Sequence, residues 1–215
     1  MLLSFFNYQG EVMLTFLIFM FDITVAYLVG SLSSAVIVCR LNNLPDPRTH
    51  GSKNPGATNV LRLAGKKYAI MVLFADMLKG LLPVLLALWL GSNPTTLGFT
   101  CLAAVIGHMY PVFFQFKGGK GVATALGAFL GLHFIMGVVI IATWLTVANF
   151  SRYSSLASIS AITFAPFYSL FVFKNLDAFF PLALITIFVL YKHRDNISRL
   201  IVGEEPKISF SRSKT

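Results

Sequence analysis

Apolar runs too long for a soluble core follow one another along almost the whole chain, with short polar gaps between them. The first, residues 12–41, exceeds the roughly 20 apolar residues that carry a helix across bilayer hydrocarbon. Others follow at 68–90, 97–116, 122–150, 155–173 and 180–191. Backbone amides in hydrocarbon must find partners within their own segment, so runs of this kind fold as helices. Charged residues make up 12% of the 215, about half the share usual in a soluble domain. A cleaved leader ahead of a soluble domain is excluded, because the hydrophobicity never stops. The expected fold class is all-α, a polytopic membrane helix bundle in one domain.

Seventeen Lys and Arg against eight Asp and Glu give a formal charge of +9. The bases cluster at the ends of apolar runs, where cytoplasmic loops concentrate Lys and Arg. That placement favours membrane topology over nucleic-acid binding, which needs a soluble basic face. Cys39 and Cys101 lie inside apolar runs, have no metal-ligand spacing, and are expected to be packing residues.

Asp22 divides the first run, and it is cheapest to hold at the outer interface while residues 23–41 span. Residues 1–22 then form an N-terminal extension, or reflect a start at Met13 or Met20. Arg40, Arg48, Lys53, Arg62, Lys66 and Lys67 place the first loop in the cytoplasm and the N-terminus in the periplasm. The second run carries Asp76 and Lys79 three apart on one helical face, expected as an internal ion pair. Between the basic gaps at 116–121 and 151–153 lie about 30 residues, too few for two full spans of about 20 each. Gly131, His133 and Gly137 interrupt them, predicting two short helices, 122–131 and 134–150, rather than one span with Arg152 outside. Pro166 predicts a kink in the helix over 155–173. The count is seven transmembrane helices, with the C-terminus cytoplasmic. Residues 23–203 form the membrane domain and 204–215 a basic cytoplasmic tail.

Four polar clusters fall on one predicted side. The longest, HGSKNPGATNVLR at 50–62, has no acid between Asp46 and Asp76. Its glycines allow backbone N–H groups to form an anion nest, with Lys53 and Arg62 adding charge. In FKGGKG at 116–121, glycines permit a sharp bend at the start of a helix, whose free N–H groups favour an anion beside Lys120. It is not a Walker A loop, because Gly121 stands where Ser or Thr should follow the lysine. Ser151, Ser155 and Ser158 share a helical face, by a spacing that also suits close helix packing. His193 and Asn196, three apart with Arg199 continuing their face, form a hydrogen-bonding wall for a polyol or phosphate. His108, near the middle of the third run, is expected as an interhelical hydrogen-bonding group, and His133 as incidental at an outer turn. The chain contains no His-x-x-x-x-Asp motif and no G-x-S-x-G elbow, and its polar loops hold no pair of acids. What remains is catalysis by positioning and electrostatic stabilisation.

GSKNPGATN, GHMYPVFFQFKGGKGVAT, RYSSLAS and HRDNISRL, in that order over about residues 26–203, resemble the acyl-phosphate:glycerol-3-phosphate acyltransferases of bacterial inner membranes. The resemblance implies a seven-helix enzyme moving a fatty acyl group from acyl phosphate to the 1-hydroxyl of glycerol 3-phosphate. The product is 1-acylglycerol 3-phosphate (lysophosphatidate), and the site lies at the cytoplasmic face. It implies phosphate-binding positions at Ser52, Asn54, Gly56, Ala57, Thr58 and Asn59, with Ser158 on the substrate. Lys120, Arg62, His193 and Asn196 carry over as catalytic positions. The implied chemistry is substrate-assisted: a phosphate oxygen helps remove the hydroxyl proton. Neither a cofactor nor a metal is implied. The partners are glycerol 3-phosphate, acyl phosphate, membrane lipid and a functional link to an acyl-phosphate-forming enzyme. Lys53 departs from the family, which often has glycine there, and Ser33 and Ser34 replace a proline and its neighbour. A transporter of phosphate esters or other anions is the rival reading. Transporters place broken helices around a midplane site between matching halves, whereas these clusters lie at one face without a repeat.

Overall fold

The computed structural model describes residues 2–208, with side chains from Gln9 onward. Ten α-helices run in the order α1 (Leu2–Gly30), α2 (Ser34–Leu41), α3 (Ala57–Ala64), α4 (Lys66–Trp89), α5 (Pro94–Met109), α6 (Val122–Leu132), α7 (Phe134–Ser151), α8 (Ser154–Phe173), α9 (Phe179–Lys192) and α10 (Arg194–Ile201). A 3-10 turn, Val112–Phe114, follows α5. There is no strand among the described residues. Five stretches are long and apolar enough to cross a membrane: Gln9–Leu41, Lys66–Trp89, Pro94–Phe114, Phe134–Ser151 and Ser154–Phe173. Val122–Leu132 and Phe179–Lys192 are shorter apolar helices.

Local chemistry explains most of the boundaries. Asn93 caps α5 by accepting from the Thr96 N–H at 2.9 Å, and Pro94 opens the helix where no N–H is needed. The same turn holds Ser92, whose hydroxyl donates to Asp22 Oδ2 at 2.6 Å, so Asp22 does lie level with that end of the bundle. The pair α6 and α7 is separated at His133, which caps α7 by accepting from the Met136 N–H rather than being incidental. Pro166 sits inside α8 and leaves the Ile162 carbonyl without its helical donor. The Thr186 hydroxyl of α9 donates to that carbonyl at 2.9 Å, so the vacancy becomes an interhelical bond.

Two expectations need correction. The helix over 23–41 is not continuous: it breaks at residues 31–33, where the Lys79 ammonium donates to the Leu32 carbonyl at 2.7 Å. A cation from 47 residues away thereby satisfies a backbone group freed by the break. The helix over 97–116 stops at Met109, because Pro111 cannot donate to the ladder. His108 consequently lies in the last turn of its helix and not at its middle.

The core joins Val105 and Met109 of α5, Phe129 of α6, Met136 and Ile140 of α7, Ile162 of α8, and Leu182 and Ile185 of α9. Beside it, α4 and α6 cross with almost no space between backbones. A β-carbon on Gly127 would come within 1.9 Å of the Met77 carbonyl oxygen, and one on Gly80 within 2.0 Å of that of Thr124. This is the small-residue contact by which membrane helices gain dispersion attraction. It fixes where α6 begins, and α6 begins at the second polar loop.

Candidate active site

The loop between α2 and α3 is shaped by its own side chains. Arg48 binds Asp46 through Nη2 at 2.7 Å and through its backbone N–H at 2.9 Å, closing the first bend. The arginine holds the Asp46 carboxyl below its usual range, chiefly through that side-chain bond. Asn59 then ties the loop from inside. Its amide donates to the Pro47 and His50 carbonyls, each at 3.0 Å, and its oxygen accepts from the Ser52 N–H at 2.9 Å. Gly51, at φ +62°, passes so close that a β-carbon would sit 2.3 Å from that oxygen. Asn59 is 1% exposed, so its part is to shape the loop from within. Ser52, Lys53, Thr58 and Arg62 are exposed, and Asn54, Gly56 and Ala57 half-buried. Gly56 precedes α3 in an extended conformation, leaving the first-turn N–H groups of Ala57 and Thr58 without helical acceptors.

The second loop turns tightly over the end of α5. The Gly119 N–H donates to the His108 carbonyl at 3.1 Å, and Gly121 at φ +84° opens α6. Between them, half-buried Lys120 sends its ammonium to the side-chain oxygen of Asn196 on α10. The Asn196 amide donates to Glu205 Oε1 at 2.7 Å, and Arg199 Nε donates to Glu205 Oε2 at 2.8 Å. Lys120, Asn196, Glu205 and Arg199 are thus one polar chain. It is closed by the strip beyond α10, where the Ile208 N–H also donates to the Arg152 carbonyl at 2.7 Å.

His193 stands at the junction of α9 and α10 and is 3% exposed. Its Nδ1 donates to the Val189 carbonyl at 2.8 Å, which leaves Nε2 as an acceptor in the neutral ring. Burial first, then the Lys120 charge, pushes its pKa down to about 4, so the ring is neutral at pH 7. Lys120 is itself lowered, mainly by burial, with Arg199 and Arg62 pushing the same way and Glu205 opposing. Burial would raise Glu205, but the hydrogen bonds from Asn196 and Arg199 outweigh it and keep the carboxylate charged.

Lys120, His193 and Asn196 therefore come together, and Arg62 lies within range of the Lys120 charge. Ser158 is buried on α8 and otherwise engaged. It accepts from Trp144 Nε1 at 3.0 Å and donates to the Ser154 carbonyl at 2.7 Å, with one lone pair left to offer. Glu205 is the participant that sequence reasoning missed. Its signal is faint: Glu204 and Glu205 are the acids in a strip otherwise expected to be a basic tail. Chemically, the arrangement offers clustered cations, a pair of glycine-shaped loops with free backbone N–H groups and one neutral hydrogen-bond acceptor.

The family model described as glycerol-3-phosphate acyltransferase matches residues 20–203. A glycerol-3-phosphate acyltransferase of Legionella pneumophila subsp. pneumophila (strain Philadelphia 1) is 66% identical over 196 residues, covering 91% of this chain and 71% of the relative. One from Shewanella sediminis is 51% identical over 187 residues, covering 87% and 92%. Two crystal structures of PlsY, an integral membrane glycerol 3-phosphate acyltransferase, superpose closely. Its glycerol 3-phosphate form has a TM-score of 0.83 at 42% identity, covering 89% of this chain and 96% of that one. Its lysophosphatidic acid form has a TM-score of 0.81 at 41% identity, covering 89% and 95%.

Proposed function

The chain belongs to the glycerol-3-phosphate acyltransferase family, and from that membership we infer that it transfers a fatty acyl group from acyl phosphate to the 1-hydroxyl of glycerol 3-phosphate. It is an acyltransferase and a multi-pass membrane protein; the donor and the residue roles below are our reading. The glycerol C1 oxygen bonds to the acyl carbonyl carbon, the bond from that carbon to the phosphate oxygen breaks, and the hydroxyl proton leaves on inorganic phosphate. The product is 1-acylglycerol 3-phosphate.

The observation that carries this reading is the meeting of Lys120, Asn196 and His193 beside two glycine-bearing polar loops. Lys120 and Arg62 neutralise phosphate and the charge that grows on the carbonyl oxygen. Ser52, Asn54, Thr58 and the N–H groups around Gly56 and Ala57 hold a phosphate, with Asn59 keeping their loop in shape. Asn196 and His193 orient the glycerol, His193 Nε2 accepting from a hydroxyl, and the spare lone pair of Ser158 assists. A ring with a pKa of about 4 is a poor proton acceptor at neutral pH. A phosphate ester, with a second pKa of about 6, is a better one, which supports a substrate oxygen as the base.

Seven crossings put the four basic clusters on the cytoplasmic side of a bacterial inner membrane, with the N-terminus outside. The turns at the opposite end, 90–93 and 174–178, carry no net charge, which supports that orientation. Glycerol 3-phosphate then arrives from water and the acyl chain from the bilayer, supplied by an acyl-phosphate-forming enzyme. The test is purified protein with radiolabelled glycerol 3-phosphate and one donor at a time: acyl phosphate, acyl-carrier protein thioester or coenzyme A thioester. Acyl phosphate alone should support product, with one inorganic phosphate released per acyl group transferred. Turnover with a thioester alone would overturn the donor assignment.

A further inference from the structure

A second polar cluster lies buried beneath the catalytic loop, and the proposed chemistry does not use it. Asp76 and Lys79 of α4 pair at 2.7 Å and are 2% and 5% exposed. His108, in the last turn of α5, brings Nδ1 to 3.5 Å from Asp76 Oδ1 and 3.2 Å from Thr124 Oγ1 in the first turn of α6. The opposite edge of the ring faces the loop. A β-carbon on Gly119 would meet His108 Nε2 at 2.2 Å, and one on Gly118 would meet the His108 carbonyl oxygen at 2.0 Å. That carbonyl also receives the Gly119 N–H. The ring is therefore a floor on which residue 119 rests, one residue before Lys120, while Gly118 rests on the backbone of the same histidine. Lys79 extends the network to the Leu32 carbonyl at the break between α1 and α2. Five segments are thus pinned through one imidazole and one ion pair.

We propose that His108 is a positioning residue for acyl transfer: Thr124 holds its ring beside the Asp76 carboxylate, and the ring sets the height and path of the 118–121 turn so that Lys120 reaches Asn196. It is not a catalytic residue, because Nε2 is covered by Gly119 and the ring is 6% exposed. The inference rests on the proposed acyl transfer only for its kinetic readout. Two facts give it physical weight. Glycine is required at 119 because the ring occupies the space a side chain would take. And misplacing a catalytic group by about 1 Å costs on the order of 100-fold in rate.

The test is a double-mutant cycle on His108→Ala and Gly119→Ala, scored by kcat/KM for glycerol 3-phosphate and by backbone hydrogen exchange across residues 117–122. Each single variant should lose about 100-fold in kcat/KM. The loss should appear in kcat as well as KM, with faster exchange in the loop and little change elsewhere. With the ring gone, adding Gly119→Ala should cost less than about 5-fold further, because the two changes act on one contact. His108→Gln, which restores a polar side chain beside Thr124, should recover most of the loss. Multiplicative losses in the double variant, or unchanged loop exchange in His108→Ala, would overturn the proposal. If His108→Ala does not fold, Gly119→Ala compared in the native and His108→Gln backgrounds decides it, since relief by the slimmer side chain is required. Should wild-type protein show no acyl transfer at all, the exchange measurements still decide the positioning role, and the acyl-transfer reading alone falls.

Discussion

Lys53 shows at the scale of one residue what the amino-acid string could and could not tell. Its departure from the glycine that the family resemblance implies at this position has a physical cost in the structure, because Lys53 sits at φ +57°. A β-carbon in that left-handed conformation costs roughly 1–2 kcal/mol. Lys53→Gly should therefore raise Tm in detergent by about 2–4 °C while acyl transfer is retained; an unchanged or lowered Tm would remove the strain account. Asn59 was legible as part of the loop but not as its internal tie. That role depends on carbonyls 9 and 12 residues back, folded round to meet it. Glu205 was illegible because nothing in the spacing of HRDNISR points to an acid nine residues past Asn196. His193 was legible as a wall residue, whereas its protonation state follows from burial. Its folded pKa of about 4 lies below the unfolded value of about 6.5, so the ring contributes stability above pH 6.5 that is lost as pH falls through 4. Nitrogen chemical shifts of labelled His193 should stay those of a neutral Nδ1–H ring from pH 7 to pH 5. Titration near pH 6.5 would contradict the buried, Lys120-facing environment.

At the scale of elements, apolar run length and polar gaps located the long helices but neither α3, inside the loop over 50–62, nor α10 as a helix apart from α9. The pair expected at 122–131 and 134–150 is found as 122–132 and 134–151, the second of them long enough to cross a membrane. The breaks were harder. Ser31, Leu32 and Ser33 contain no proline, and the break among them is satisfied by Lys79 across the bundle, which no local rule can see. The end of α5 at Met109 was readable from Pro111 but was overridden by the hydropathy that continues through Phe114. The crossing of α4 and α6 gives the sharpest test at this scale. Alanine is normally favoured over glycine in a helix by about 1 kcal/mol. At Gly127 the sign should reverse, because the β-carbon would press on the Met77 carbonyl at 1.9 Å. Gly127→Ala should destabilise by about 1–3 kcal/mol in thermal unfolding. A neutral or stabilising outcome would show that the helices can move apart freely.

At the scale of the whole molecule, the polar loops, α10 and the strip to Ile208 gather at one end of an apolar bundle, and that gathering brings together residues scattered between Arg62 and Glu205. The proposed orientation is open to direct measurement, because Cys39 and Cys101 are buried and provide a quiet background. A single cysteine at exposed Asn175 should react with an impermeant maleimide added to spheroplasts, and one at exposed Lys67 only after the membrane is opened. The reverse pattern would invert the topology. The central claim is that electrostatic positioning around Lys120 drives acyl transfer, without a protein base. Lys120→Ala, reconstituted in vesicles at the wild-type level of folded protein, measures it most directly with acyl phosphate and radiolabelled glycerol 3-phosphate. The account predicts that kcat/KM falls at least about 1000-fold, as expected when a cation aimed at developing charge is removed. Turnover within about tenfold of wild type would contradict it.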